Sequence, residues 1–108
     1  MSGERQQNSY SSMRALVRAR VVISGRVQGV LFRQSARAKA LELGLSGWAH
    51  NLLDGTVEIM CEGEKERVEQ FIEWTRRGPL LARVEHVDVS FEEYKGEWKD
   101  FEVREFGF

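Results

Sequence analysis

The sequence predicts an α+β sandwich, an antiparallel sheet with two helices on one face. Three observations predict it. Short runs of alternating, β-branched and aromatic residues recur along the chain; two stretches carry apolar residues at helical spacing; glycine-centred turns separate them. Ala19 to Ser24 reads ARVVIS, a β-branched run that stops at Gly25, and is the first expected strand. From about Phe32 to Leu43, Ala36, Ala40 and Leu43 fall at i, i+4 and i+7, one buried helical stripe closed by Gly44. Ser46 to Asn51 is a short second strand, Asp54-Gly55 a hairpin turn, and Thr56 to Glu62 a third strand with Val57, Ile59 and Cys61 on one face. Glu64 to Arg76 is a second helix, with Val68, Phe71, Ile72 and Thr75 at i, i+3, i+4 and i+7, broken by Gly78-Pro79. Val84 to Tyr94 is a fourth strand with Val87, Val89 and Phe91 pointing inward. Val84 is out of phase with them, which predicts a bulge or a late strand start. Phe101 to Glu105 is the fifth strand. The first six elements follow the split βαβ, ferredoxin-like order, with the fifth strand appended. That fold hosts unrelated functions, so function has to come from a site.

A chain of 108 residues fits one domain. Residues 1–18 read as a polar, disordered tail and 19–108 as the folded domain. Sixteen basic against seventeen acidic residues leave a net charge of -1, which gives no global pull toward nucleic acid or a membrane surface. No apolar run reaches the length of a membrane span, and residues 1–13 lack the apolar centre of a secretory signal. A lone cysteine, Cys61, rules out an intramolecular disulfide and a cysteine-based metal site. A small unstapled domain fits a cytoplasmic home. A monomer is expected.

The segment Gly25 to Arg33, GRVQGVLFR, leaves a strand, turns sharply and enters a helix. Gly25 and Gly29 permit backbone angles that other residues resist. Such a turn can aim successive amide N–H groups at one centre, and the new helix adds its free N–H groups and the positive end of its dipole. Arg33, in the first helical turn, has a planar guanidinium that can hold two phosphate oxygens. Neither G-x-x-x-x-G-K-[ST] nor G-x-G-x-x-G occurs in the chain. On composition alone, an ordinary turn followed by a solvated arginine fits this loop better than an anion nest does, since short motifs often match by chance.

The run GRVQGVLFR resembles the phosphate-binding motif of acylphosphatases, usually G-x-V-Q-G-V-x-F-R. Further on, Gly47-Trp48-Ala49-His50-Asn51-Leu52-Leu53-Asp54-Gly55 resembles the family's second motif, G-W-x-x-N-x-x-D-G. Both agree at every fixed position, in the family's order, and the likeness runs from about Arg18 to Phe106. It implies a five-stranded antiparallel sheet with two helices on one face. It implies that Arg33 binds the phosphate with the main-chain N–H groups of Gln28, Gly29, Val30, Leu31, Phe32 and Arg33, and that Asn51 orients the attacking water. Leu31 and His50 occupy variable positions, His50 at the rim of the site.

The reaction implied is hydrolysis of a carboxyl–phosphate bond. The leaving carboxylate has a conjugate acid of pKa about 4 and departs unprotonated, so no general acid is required. The expected catalyst needs no cofactor and no metal; inorganic phosphate, as product, would compete with substrate. His50 and His86 have no partner at metal-ligand spacing. His86 reads as a surface or edge residue, Cys61 as a core residue, and Trp48 and Phe32 as packing groups. The alternative reading is a non-catalytic phosphate- or RNA-binding module on the same fold, but the chain has no aromatic RNA-stacking run of the [KR]-G-[FY]-[GA]-F-V-x-[FY] type.

Overall fold

A computed structural model describes residues 15–106; of the tail expected over residues 1–18, residues 1–14 lie outside them. The elements are β1 (Leu16–Arg26), α1 (Phe32–Glu42), β2 (Ser46–Asn51), β3 (Val57–Glu64), α2 (Lys65–Thr75), β4 (Arg83–Glu92) and β5 (Phe101–Phe106). They form one sheet in the order β4-β1-β3-β2-β5. β1 starts at Leu16 rather than Ala19 because Leu16, Val17 and Arg18 pair with Glu64, Gly63 and Glu62.

Four strands pair antiparallel, as expected. The fifth does not: β5 runs parallel to β2, so the sheet is mixed. The cause is topological. β4 runs antiparallel to β1 at one edge, and the chain then crosses the width of the sheet before reversing into β5. That reversal leaves β5 pointing the same way as β2.

The core lies between the sheet and the helices. Ala19, Val21 and Ile23 of β1, Val57, Ile59 and Cys61 of β3, Ala49 and Phe101 face Phe32, Ala36 and Ala40 of α1 and Val68, Phe71 and Ile72 of α2. The small Ala36 and Ala40 bring α1 close to the sheet, while the Phe71 ring meets Phe101 at 6.2 Å and Trp74 at 6.0 Å between centroids. Burial pushes the Cys61 thiol up to about 12, which fits a packing group and not a nucleophile. On β4, Val87 and Val89 pack against this core but Phe91 is exposed. α2 lies over β1 and β3 and leaves an open cavity between Glu69, Ile72 and Glu73 on its side and Val89 and Phe91 of the edge strand.

The irregularity at Val84 is a bulge: Ser24 faces His86 and Gly25 faces Val84, leaving Glu85 as the extra residue. Gly25 is required there. Its φ is 122°, and a Cβ would lie 2.2 Å from the Arg83 carbonyl oxygen.

The helix-free face of the sheet carries a buried ion pair. Arg18 Nε donates to Glu62 Oε2 at 2.9 Å, and both side chains are almost fully buried. The same carboxylate accepts the backbone N–H groups of Lys95 (2.8 Å), Gly96 (3.2 Å) and Glu97 (3.3 Å). Arg18 also bonds Glu97 and lies 4.2 Å over the Trp98 ring. The 93–100 crossing is thus tied down across the sheet. Burial pushes the Glu62 carboxyl up, but the Lys95 N–H, Arg18 and the Gly96 N–H outweigh it and hold it below the usual carboxylate range.

A depressed folded pKa contributes stability that is present above the unfolded value and lost as pH falls through the folded one. Glu62→Gln is expected to cost about 3 kcal/mol at neutral pH, because it leaves Arg18 buried without a counter-charge. Urea unfolding from pH 7 down to about pH 3 should then show a shallower loss of stability in the variant than in the parent. Equal slopes would mean that Glu62 is not a source of the acid sensitivity.

Candidate active site

β1, β2 and β5 end, and β4 begins, at the same end of the sheet. Three connections meet there: residues 27–31 between β1 and α1, residues 52–56 between β2 and β3, and residues 76–82 between α2 and β4. The 27–31 loop holds two left-handed residues, Gly29 (φ 76°) and Leu31 (φ 64°, ψ 29°). Leu31 is the sole non-glycine residue with positive φ among those described, a strain of roughly 1–2 kcal/mol. That turn aims the start of α1. The first helical bond runs from Ser35 N–H to the Leu31 carbonyl at 3.1 Å, so the N–H groups of Phe32, Arg33 and Gln34 precede any intrahelical acceptor. No side chain caps this helix and no acidic residue occupies its first turn. The positive helix end therefore has no capping or acidic side chain among the described residues.

The Gln28 side chain sets the loop against the hairpin. Its Nε2 donates to the carbonyls of Leu52 (2.8 Å) and Thr56 (2.9 Å). The hairpin is closed by the Leu52 N–H to Thr56 carbonyl bond at 2.9 Å, and the Asp54 carboxylate accepts Thr56 Oγ1 (2.7 Å) and N–H (3.0 Å). Those two Thr56 donors hold the Asp54 carboxyl below its ordinary value.

Arg33 is half-buried, and its Nη1 donates to the β5 carbonyls of Arg104 (2.5 Å) and Glu105 (3.4 Å). A guanidinium has five N–H donors; Nε and Nη2 form no hydrogen bond with any described residue. The head group is therefore fixed on one side and open on the other. Asn51 ends β2, opposite Val57 of β3 and Phe106 of β5. Phe106 directly follows the two residues that hold Arg33, so both side chains border the same end of β5. Asn51 is buried, and its Oδ1 has no hydrogen-bond partner. A buried unpaired oxygen costs stability and calls for a reason.

His50 does not sit at the rim. Strand alternation puts it on the helix-free face, away from Asn51, where Nε2 lies 2.6 Å from Glu58 Oε1 and the ring 4.4 Å from Trp48. Glu58 also takes Arg20 Nε at 2.5 Å; burial raises its carboxyl, but His50 and Arg20 outweigh that and lower it. His86 is exposed on β4. Phe32 packs on Trp74 at 5.5 Å. Among the described residues no group of three or more His, Cys, Asp or Glu is placed to hold a metal ion, and no helix is long and apolar enough to cross a membrane. A surface cavity of about 240 Å³ between Leu16, Leu43 and Arg67 lies at the opposite end of the sheet. Sequence reasoning missed the bridging role of the Gln28 amide and the β5 carbonyls under Arg33. A polar residue at a fixed motif position with no assigned chemistry was the available signal for Gln28; the carbonyls had none.

Fold and site together define a ferredoxin-like α+β domain whose sheet ends in a left-handed turn, an uncapped helix start and an arginine held by β5. The acylphosphatase family profile matches residues 19–103. An acylphosphatase of Aeropyrum pernix is 54% identical over 91 residues, covering 83% of this chain and 90% of that protein. The structure of an acylphosphatase from Coxiella burnetii superposes with a TM-score of 0.79 at 40% identity, over 82% of this chain and 93% of the other. Full-length HypF in its phosphate- and nucleotide-bound form gives 0.77 at 30% identity, over 85% of this chain but 12% of that one. The chain belongs to the acylphosphatase family.

The Gln28 bridge makes a graded prediction. Gln28→Ala should cost about 1–2 kcal/mol in urea unfolding for two lost hydrogen bonds. Gln28→Glu should cost more at pH 7, because a carboxylate then faces two carbonyl oxygens, and the gap between the variants should narrow near pH 4 as that carboxyl protonates. Identical losses at both pH values would contradict the bridge.

Proposed function

We propose that the chain hydrolyses acyl phosphates to a carboxylate and inorganic phosphate by in-line attack of water, using Arg33 and Asn51. The observation that carries this reading is that an uncapped helix start, an arginine with free donors and the buried, unpaired Asn51 Oδ1 meet at one end of the sheet. The N–H groups of Gln28 to Arg33 and the free side of the Arg33 guanidinium bind the equatorial oxygens of the terminal phosphate. The Asn51 carboxamide hydrogen-bonds the attacking water and aligns its lone pair with phosphorus. The water oxygen bonds to phosphorus, the phosphorus–acyl oxygen bond breaks, and the carboxylate leaves with the bonding pair. The water's proton passes to a phosphate oxygen, since an amide is a poor base. Positioning and charge stabilisation dominate phosphoryl transfer, so this small set of groups is enough.

The same reading makes inorganic phosphate a competitive inhibitor and leaves no role for metal or cofactor. Family membership and the Asn51 oxygen favour hydrolysis over a non-catalytic phosphate- or RNA-binding module. The near-neutral charge supports a protein without a nucleic-acid partner. A lone buried cysteine supports a cytoplasmic home. We take the working form to be a monomer.

Steady-state hydrolysis of an aryl acyl phosphate should be unchanged after dialysis against a chelator; activity that disappears and returns with magnesium would refute the mechanism. Arg33→Ala should weaken calorimetric phosphate binding and also collapse turnover. Asn51→Ala should lower single-turnover hydrolysis by about 3 kcal/mol, roughly a hundredfold, while phosphate binds nearly as before. Loss of phosphate binding with chemistry retained in Asn51→Ala would reverse the assigned roles.

A further inference from the structure

Four side chains stand apart on the molecular surface. Leu80, Leu53, Leu81 and Leu31 are 96%, 74%, 68% and 66% exposed, and no other large apolar side chain among the described residues exceeds 54%. Scattered exposed leucines need no explanation. These are not scattered: they occupy the three connections that surround the phosphate cradle, and each is turned to water where a ligand must enter.

The cradle lies between two of these connections. At its start, Gln28 is bonded to the 52–56 hairpin. At its end, Phe32 packs so tightly on Gly78 that a Cβ there would come within 2.6 Å of Phe32 Cε2. Leu31 sits in the loop between them. If water attacks from Asn51, at the base of the hairpin, in-line displacement drives the acyl oxygen out on the far side of phosphorus. The 78–82 turn, which carries Leu80 and Leu81, meets the cradle through the Phe32–Gly78 contact, at the end away from the hairpin, and is assigned to that side.

We infer that Leu31, Leu80 and Leu81 form an acyl-binding rim, and that the preferred substrates are acyl phosphates with a bulky apolar acyl group, aromatic or branched, rather than a small or charged one. The inference rests on the hydrolytic reading above. The occupant is set by continuity: the phosphate is held by the amides of Leu31 and its neighbours, so whatever is bonded to that phosphate emerges among these side chains. About 60 Å² of covered apolar surface corresponds to a tenfold gain in affinity. A competing feature is the pair Arg26 and Arg83, exposed and directly opposite one another on β1 and β4, which would suit an acyl group bearing a carboxylate. Both arginines belong to paired strand ends, whereas Leu31 belongs to the loop itself, so the pair ranks second.

The test uses the full chain and a Leu80→Ser/Leu81→Ser double variant, whose exposed sites carry no core packing. Hydrolysis of benzoyl, acetyl and succinyl phosphate is measured for both, with calorimetric binding of benzylphosphonate and methylphosphonate. The benzoyl-to-acetyl ratio of kcat/KM is expected to fall about tenfold in the variant, and the benzyl-to-methyl affinity ratio to fall in parallel. Ratios that agree within twofold between the two proteins overturn the rim. A succinyl preference over benzoyl overturns it in favour of Arg26 and Arg83. A dimeric parent and monomeric variant with unchanged ratios assign the leucines to self-association and overturn it too. Absent hydrolysis with the phosphonate pattern intact would sink the hydrolytic reading and leave the apolar rim standing; hydrolysis with no phosphonate pattern would do the reverse.

Discussion

Glu62 is one carboxylate on β3, yet the path of residues 93–106 follows from it. It neutralises the buried Arg18 and gathers three backbone N–H groups from residues 95–97. Without that anchor the 93–100 segment would have to cross the open face of the sheet with few apolar contacts to guide it. With it, the chain passes under Arg18 and Trp98 and enters β5 beside β2. The consequence reaches the other end of the molecule. β5 supplies the Arg104 and Glu105 carbonyls that hold the Arg33 guanidinium. A buried ion pair is weak grounds for stability, since desolvation offsets much of its attraction. Its value here is directional: several donors converge on one acceptor, so one path across the sheet satisfies them all.

The two faces of the sheet divide the work. The helix side is closed by apolar packing, with alanines where α1 comes close. The other side is covered by charge and aromatic contacts: Arg18 with Glu62, Arg20 and His50 with Glu58, and Arg104 lying 5.0 Å over Trp48. Because strand side chains alternate, His50 and Asn51 are neighbours in sequence and serve opposite faces. One braces the strand from behind while the other reaches the cradle.

The cradle itself is a local structure under tension. Leu31 accepts a left-handed conformation that would suit glycine better, α1 begins without a cap, and Asn51 buries an oxygen with no partner. Each is a small loss in the folded domain, and all three sit within one end of the sheet. Strain and unmet hydrogen-bonding capacity gathered in one place mark this end of the sheet as the candidate site. Preorganisation of this kind lets amides and an arginine act on an anion without moving first.

Periodicity and turn chemistry determined the order of elements, both helical stripes and the bulge after Gly25, because those signals act over a few neighbouring residues. The two motifs likewise marked Arg33 and Asn51 in the sequence itself. Other features depend on segments far apart in the chain. The parallel pairing of β5 reflects a crossing pinned by Glu62 across the sheet. The exposure of Phe91 reflects where α2 comes to rest. His50 moved from the rim to the back of the sheet once strand register gave each neighbour its face. Arg33 finds its acceptors about seventy residues later, at carbonyls that carry no side-chain signature. Local chemistry therefore determined which groups this protein carries, while long-range pairing, which no short window of sequence encodes, decided which of them meet.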